Sequence, residues 1–291
     1  MASIGFTLDL RHRRRAPAVA LPLDGFAGSL YAAFGMRRLL SAHAGPCVRA
    51  RRTSDGAEVD VGFTAPGDFD VAALLAFAGA GSVYATRWYD QTGNGRHAEQ
   101  ATGAAQPRLV SAGVLDIGPN GRPGMVFSGA QYVDMQNSLG IARGASALTV
   151  AAATGAPPTS ATQAIFSTSI GGGPQSRAIL YCASGTLAVG ARSIDGGAEQ
   201  SVVRPIGVST RLIARIGYAA GGLDISGNGE TTTGVMSPAQ SAPDTNSSSA
   251  SRIGANAVGT SGFAGAMSML ALSRSALDVA ALDAALTRVM P

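Results

Sequence analysis

Two carboxyl groups brought to one spot can act as nucleophile and proton donor. The acids this chain offers for such a pairing include Asp90, Asp195, Glu199, Asp224 and Glu230, scattered along the sequence. Between Asp134 and Asp195 there is no Asp or Glu at all. His12, His43 and His97 are isolated and lack metal-ligand spacing, and no Asp-rich loop suggests calcium, so neither a metal nor another cofactor is expected. Gly171-Gly172-Gly173 lacks the Lys-Ser/Thr of a phosphate cradle and reads as a hairpin tip. Cys47 and Cys182 lie far apart and read as buried free thiols.

The densest stretch runs from Arg87 to Pro107, RWYDQTGNGRHAEQATGAAQP. Gly93, Asn94 and Gly95 tolerate positive φ, so the chain can reverse sharply after Tyr89. Asp90 stands just before that turn, where its carboxylate can accept hydrogen bonds from loop N–H groups. For His97, inside the same loop, a structural hydrogen bond is the expected role. Trp88 is the single Trp, and with Tyr89, Tyr132, Tyr181 and Tyr218 it could present aromatic faces to a sugar. The other reading of Trp88 is a core residue beneath the corner.

The phrase Trp88-Tyr89-Asp90-Gln91-Thr92-Gly93-Asn94-Gly95, with His97 and Gln100 behind it, resembles the YDQSGNG signature of the arabinofuranosidase B catalytic-domain family. Tyr31 to Leu40, Gly45-Pro46, Val48 to Arg52 and Asp60 to Phe63 resemble the same family's opening segment. The likeness is good from about Gly25 to Pro107 and weak beyond. It implies a concanavalin-like β-sandwich, with Asp90, Gln91, Gly93, Asn94, Gly95 and Gln100 forming a structural corner. Similar domains also recur in structural proteins of phages and phage-like particles. Active relatives are understood to carry a Glu nucleophile after two adjacent cysteines and an Asp acid/base in an IGGDN-like phrase. No adjacent cysteines occur here, and the late phrase reads Ile253-Gly254-Ala255-Asn256, placing an amide where the acid would stand. Hydrolysis is therefore not expected, and Trp88, Tyr89, Asp90 and Asn256 are left as candidates for carbohydrate binding.

The elements that must hold these residues are those of a turn-rich all-β protein with a few short helices. With 39 Gly and 14 Pro in 291 residues, and 46% hydrophobic residues, the chain suits one large domain with an ample core. The net charge is +4, and every basic side chain is Arg. That bias reads as genomic composition, so nucleic acid is not an expected partner. No apolar run is long enough to span a bilayer, and Met1 to Arg15 lacks the order of a secretory leader.

Ile4, Phe6, Leu8 and Leu10 alternate with small or polar residues, as in a strand with one buried face. Residues 1–18 are thus either the first strand of the sheet or an attachment arm, with 19–291 as the sandwich. Leu30 to Leu40 has apolar residues at helical spacing with Ser29 placed to cap, which predicts a surface helix. Val48–Arg52 and Val59–Phe63 flank Thr53-Ser54-Asp55-Gly56 as a hairpin, and Asp68 and Asp70 open a helix over Val71–Ala78. From Leu109 onward, many short strands between turn residues predict a jelly-roll sandwich. Pro238–Ser251 reads as a surface loop. Phe263 to Leu277 resembles the closing strand of laminin-G-like sandwiches, and Ser275 with Asp278 is expected to open a last helix.

These expectations compose a non-enzymatic structural protein of a phage or phage-like particle, such as a head spike or a tail or fibre component. It would be made in the bacterial cytoplasm and attached to other virion proteins through its arm. It would assemble as a trimer or pentamer and touch host polysaccharide, with no membrane partner. The competing readings are a glycoside hydrolase of the arabinofuranosidase type and a free carbohydrate-binding module.

Overall fold

The computed structural model describes residues 20–138, 141–155, 161–168, 177–183, 185–192, 197–205, 211–218, 220–235, 251–256 and 261–289. In chain order, the first half holds β1 (Leu30–Gly35), β2 (Val48–Arg52), β3 (Glu58–Val61), α1 (Val71–Ala78), β4 (Val83–Trp88), β5 (Ala98–Glu99), β6 (Arg108–Ser111), β7 (Val114–Leu115), β8 (Met125–Ser128) and β9 (Val133–Met135). The second half holds β10 (Ala147–Thr154), β11 (Gln163–Ser167), β12 (Arg177–Ala183), β13 (Thr186–Arg192), β14 (Gln200–Pro205), β15 (Arg211–Gly217), β16 (Gly222–Gly227), β17 (Glu230–Val235), β18 (Arg252–Ile253), β19 (Ala264–Ser273) and α2 (Val279–Thr287). This is the all-β sandwich expected from the spacing of short strands.

The pairings resolve into two layers, every ladder antiparallel. The front layer runs β3-β2-β4-β5-β9-β18-β11-β12-β13-β14. The back layer runs β1-β19-β10-β15-β16-β17. Strand β8 pairs with β6, which joins β4, and on its other edge with β19, so it links the layers. Between them lies the main core, including Phe34, Trp88, Phe127, Phe166, Tyr218 and Phe263. A second core covers the outside of the back layer, where Leu282, Ala285 and Leu286 of α2 pack with Leu23, Leu39, Ala151, Ile213 and Met269. Asp278 caps α2 by accepting a hydrogen bond from the N–H of Ala281 at 2.8 Å, so the helix starts later than Ser275.

The expected helix over Leu30–Leu40 is instead strand β1 followed by irregular chain. Ala32 and Phe34 face the main core while Leu30 and Ala33 face the second core. A strand buried on both faces carries an unbroken apolar run, which periodicity does not separate from a buried helix. The short helix did form where read: α1 begins at Asp70, whose Oδ1 accepts from the N–H of Ala73 at 3.0 Å. The hairpin of β2 and β3 also stands where its turn sequence put it. Residues 1–19, Gly171–Gly173 and 236–250 lie outside the described residues, and with them the proposed arm, the triple-glycine tip and most of the late loop. Among the described residues, no helix is long and apolar enough to cross a membrane.

Candidate functional site: a charged groove on the open sheet

The Arg87–Pro107 corner is built inward. Trp88 is fully buried and packs against Phe34 with ring centroids 5.5 Å apart, so it offers no face to a sugar. Asp90 is only 3% exposed. Its carboxylate accepts from the N–H groups of Ala33, Thr92 and Arg96 at 3.0, 3.0 and 3.2 Å and from the Thr92 hydroxyl at 2.8 Å. Gln91 reaches the other way, accepting from Leu39 N–H at 2.7 Å and donating to the carbonyls of Gly35 and Arg37. Gly93 and Gly95 hold φ of 82° and 69°, and the Asn94 amide donates to the Tyr31 carbonyl at 3.1 Å. Gln100 accepts from Thr102 N–H and donates to the Tyr132 carbonyl. These side chains fasten β1, β4 and the loop after it to one another.

Tyr89 is 8% exposed and donates its hydroxyl to Asp60 Oδ1 at 2.8 Å. Burial, then Asp60, raises its pKa. The Arg49 guanidinium, joined by the Tyr89 hydroxyl, holds the Asp60 carboxyl below the ordinary value. Asn256, at the position where the resemblance would put an acid, accepts from Ser261 N–H at 3.2 Å. The four carbohydrate-binding candidates do not form one exposed cluster: Trp88 and Asp90 lie inside the fold, Tyr89 is nearly buried and Asn256 follows β18 and bonds to Ser261. Asp195 lies outside the described residues.

What composition did not expose is a row of side chains across the front layer. Directly opposed residues of an antiparallel pair share a face. The registers join Asp60 to Arg49, Arg49 to Arg87, Arg87 to Glu99, Glu99 to Asp134, Asp134 to Arg252 and Arg252 to Ser167. Ser167, Ile179, Gly190 and Ser201 continue it through β12, β13 and β14. At Gly190, where there is no side chain, the Glu199 carboxylate fills the space, with Oε1 2.9 Å from where a Cβ would stand. A single register line thus carries acids and guanidiniums over much of the sheet's outer face.

The centre of this row floors an open groove of about 570 Å³, whose lining includes Arg51, Glu58, Arg87, Glu99, Gln106 and Asp134. Glu99 and Asp134 are cross-strand partners of β5 and β9, so their Cβ atoms stand roughly 4.5–5.5 Å apart. Each is held from outside the pair: Arg87 Nε lies 2.5 Å from Glu99 Oε1, and Arg252 grips both oxygens of Asp134 at 2.7 and 3.1 Å. The Arg252 guanidinium in turn stacks on Tyr132, 3.7 Å from its centroid. The result is two neighbouring carboxylates over a polar trough edged by guanidinium and amide groups, the donors and acceptors that sugar hydroxyls require. Among the described residues, no group of three His, Cys, Asp or Glu side chains converges to hold a metal.

Comparison with known proteins bears on this groove. Residues 27–133 match the family model for the catalytic domain of α-L-arabinofuranosidase B. The matched segment stops one residue before Asp134. Among solved structures, a GH54 α-L-arabinofuranosidase soaked with a cyclic sulfate inhibitor superposes with a TM-score of 0.67 at 16% identity, covering 92% of this chain and 64% of that one. An arabinofuranosidase complexed with arabinofuranosyl-α-1,2-xylobiose gives 0.64 at 16% identity over the same shares of the two chains. The fold is therefore that of the GH54 arabinofuranosidases, and the chain spans 64% of the length of those structures. No curated protein matches the sequence.

These findings overturn the expectation of a non-enzymatic phage or particle component. That expectation rests on the retained corner motif, the two missing carboxylates, the missing leader and the strand-like basic arm, and none of these excludes a carboxylate pair placed elsewhere on the sheet. The matched segment is that of an arabinofuranosidase catalytic-domain model, and the fold is the one the GH54 structures share. The groove holds a carboxylate pair that neither position would have disclosed.

Proposed function

We propose that this chain is a glycoside hydrolase domain of the arabinofuranosidase type, acting on α-L-arabinofuranosyl groups seated in the front-layer groove. The observation that carries the reading is the register of Glu99 against Asp134 on the groove floor, within a fold and a matched segment shared with arabinofuranosidases.

Retaining glycosidases work through two carboxyl groups about 5–5.5 Å apart, one attacking the anomeric carbon and the other exchanging a proton with the leaving oxygen. Neighbouring strands set the Cβ atoms of Glu99 and Asp134 roughly 4.5–5.5 Å apart on one face, so both carboxyl groups can address one sugar ring. Asp134, with both oxygens taken by Arg252, is positioned to face the positive charge that builds on the ring. Glu99, held through one oxygen by Arg87, is the carboxyl placed for transfer at the glycosidic oxygen or anomeric carbon. Gln136 is exposed at the rim of the same groove and is the amide free to meet ring hydroxyls, while Gln100 and Gln106 are bonded within the fold and shape the floor beneath it.

The test is release of nitrophenol from 4-nitrophenyl α-L-arabinofuranoside, the compound soaked into a Glu→Gln variant of a GH54 relative. The purified chain is expected to turn it over. Glu99→Gln should lower kcat by about 10²–10⁴-fold with an unchanged circular dichroism spectrum. Asp134→Asn should lower it as well. No turnover by the unmodified chain, or full activity in both variants, would sink the proposal.

A further inference from the structure

A second site shares no lining residue with the groove and rests on separate observations. Ala20, Leu21, Pro22, Ala65 and Pro66 wall a pocket of about 370 Å³ into which Arg37, Arg38 and Arg288 enter. No Asp or Glu lines it. Three guanidiniums that never lose their protons therefore share one concavity without a carboxylate among its walls.

Their neutral bonds do not exhaust them. Arg37 Nη1 donates to the Arg288 carbonyl at 2.7 Å and Arg288 Nη2 to the Pro22 carbonyl at 3.0 Å. Yet the Nε groups of both Arg37 and Arg38 are buried with no hydrogen-bond partner. Of the neighbouring acids, Asp24 is taken by backbone donors, the N–H groups of Leu21 and Ser41, both at 2.7 Å. Asp68 faces the adjoining cavity that Arg37 also lines, beside Arg122, 3.9 Å away. Burial lowers the Arg37 pKa, and the Arg122 charge adds to that effect while Asp68 opposes it. Like charges gathered in a partly dry site repel, and unmet guanidinium donors are costly.

We propose that Arg37, Arg38 and Arg288 form a binding site for a tetrahedral oxyanion, a phosphate or sulfate group borne on a small molecule. Planar guanidinium forks match such oxygens two at a time. The volume exceeds that of the bare anion, and the Ala, Leu and Pro walls leave room for a compact, weakly polar remainder.

Thermal melting of the full chain in inorganic phosphate, against chloride at equal ionic strength, tests this. Glucose 6-phosphate serves as a third arm. Phosphate at ten times its dissociation constant should raise Tm by about 2–4 °C over chloride. A larger rise with the sugar phosphate would show that the walls read the remainder; an equal one would show that the oxyanion alone is read. Arg38→Gln, whose Nε has no partner to lose, should melt no lower than the unmodified chain in chloride and should forfeit the phosphate response. An equal rise in chloride, or a response that survives Arg38→Gln, would overturn the proposal. Arabinofuranoside turnover has no part in this readout.

Discussion

Asp90 ties three separate segments together with one carboxylate: β1 through Ala33, its own turn through Thr92, and the loop beyond through Arg96. Its N–H donates to His97 Nδ1 at 3.1 Å, so the ring accepts there and is neutral. Asp90→Asn turns one accepting oxygen into a donor facing N–H groups, and should cost about 3 kcal/mol in denaturant unfolding. Burial, then the Arg87 charge, lowers the His97 pKa below the ordinary 6.5. The unfolded chain then binds this proton more readily than the folded one. Stability is therefore whole above about pH 6.5 and falls as pH drops toward the folded value. A Tm profile from pH 7.5 to 5 should show the decline, and His97→Gln should flatten it. The corner's residue types were legible because Gly, Asn and Asp announce a turn. Trp88 was not, since the sequence offers an aromatic without saying which way it points. Glu99 and Asp134 were not legible as a pair because each becomes informative only beside the other, 35 positions away.

At the scale of elements, local signals served where they were self-contained. The acid before α1 marked its start, and the turn residues between β2 and β3 marked the hairpin. β1 was misread because its surroundings, and not its spacing, determine its form: it is covered on one side by the main core and on the other by the α2 layer. β9, β14 and β17 carry little local signal of their own. β14 exposes Ser201, Val203 and Pro205 and β17 exposes Glu230, Thr231, Thr233 and Val235, so apolar residues do not mark one buried face, and β9 is three residues long. Two substitutions probe the elements directly. Asp278→Ala removes the α2 cap and should cost about 1 kcal/mol. Gly254, at φ +88° just after β18, would bring a Cβ to 2.4 Å from the Phe127 ring. Gly254→Ala should therefore cost about 2–4 kcal/mol and weaken the Arg252–Asp134 clamp, visible as reduced hydrolysis.

Across the whole molecule, the two layers are used differently. The back layer is sealed by α2, whereas the front layer turns its charged row outward. Removing residues 274–291 should uncover Leu39, Ile213 and Met269, raising binding of a hydrophobic dye and lowering Tm. The sandwich was legible in the rhythm of short strands, because turn residues recur whatever the chain does. The groove was not, because it belongs to strand register, and register comes from pairings between segments distant in sequence. Strand β8, bonded to β6 on one edge and β19 on the other, leaves neither layer a clean seam along which to part. Loosening one face should therefore propagate to the other, and amide protons of β6 and β19 should exchange in concert during each opening event instead of on independent schedules.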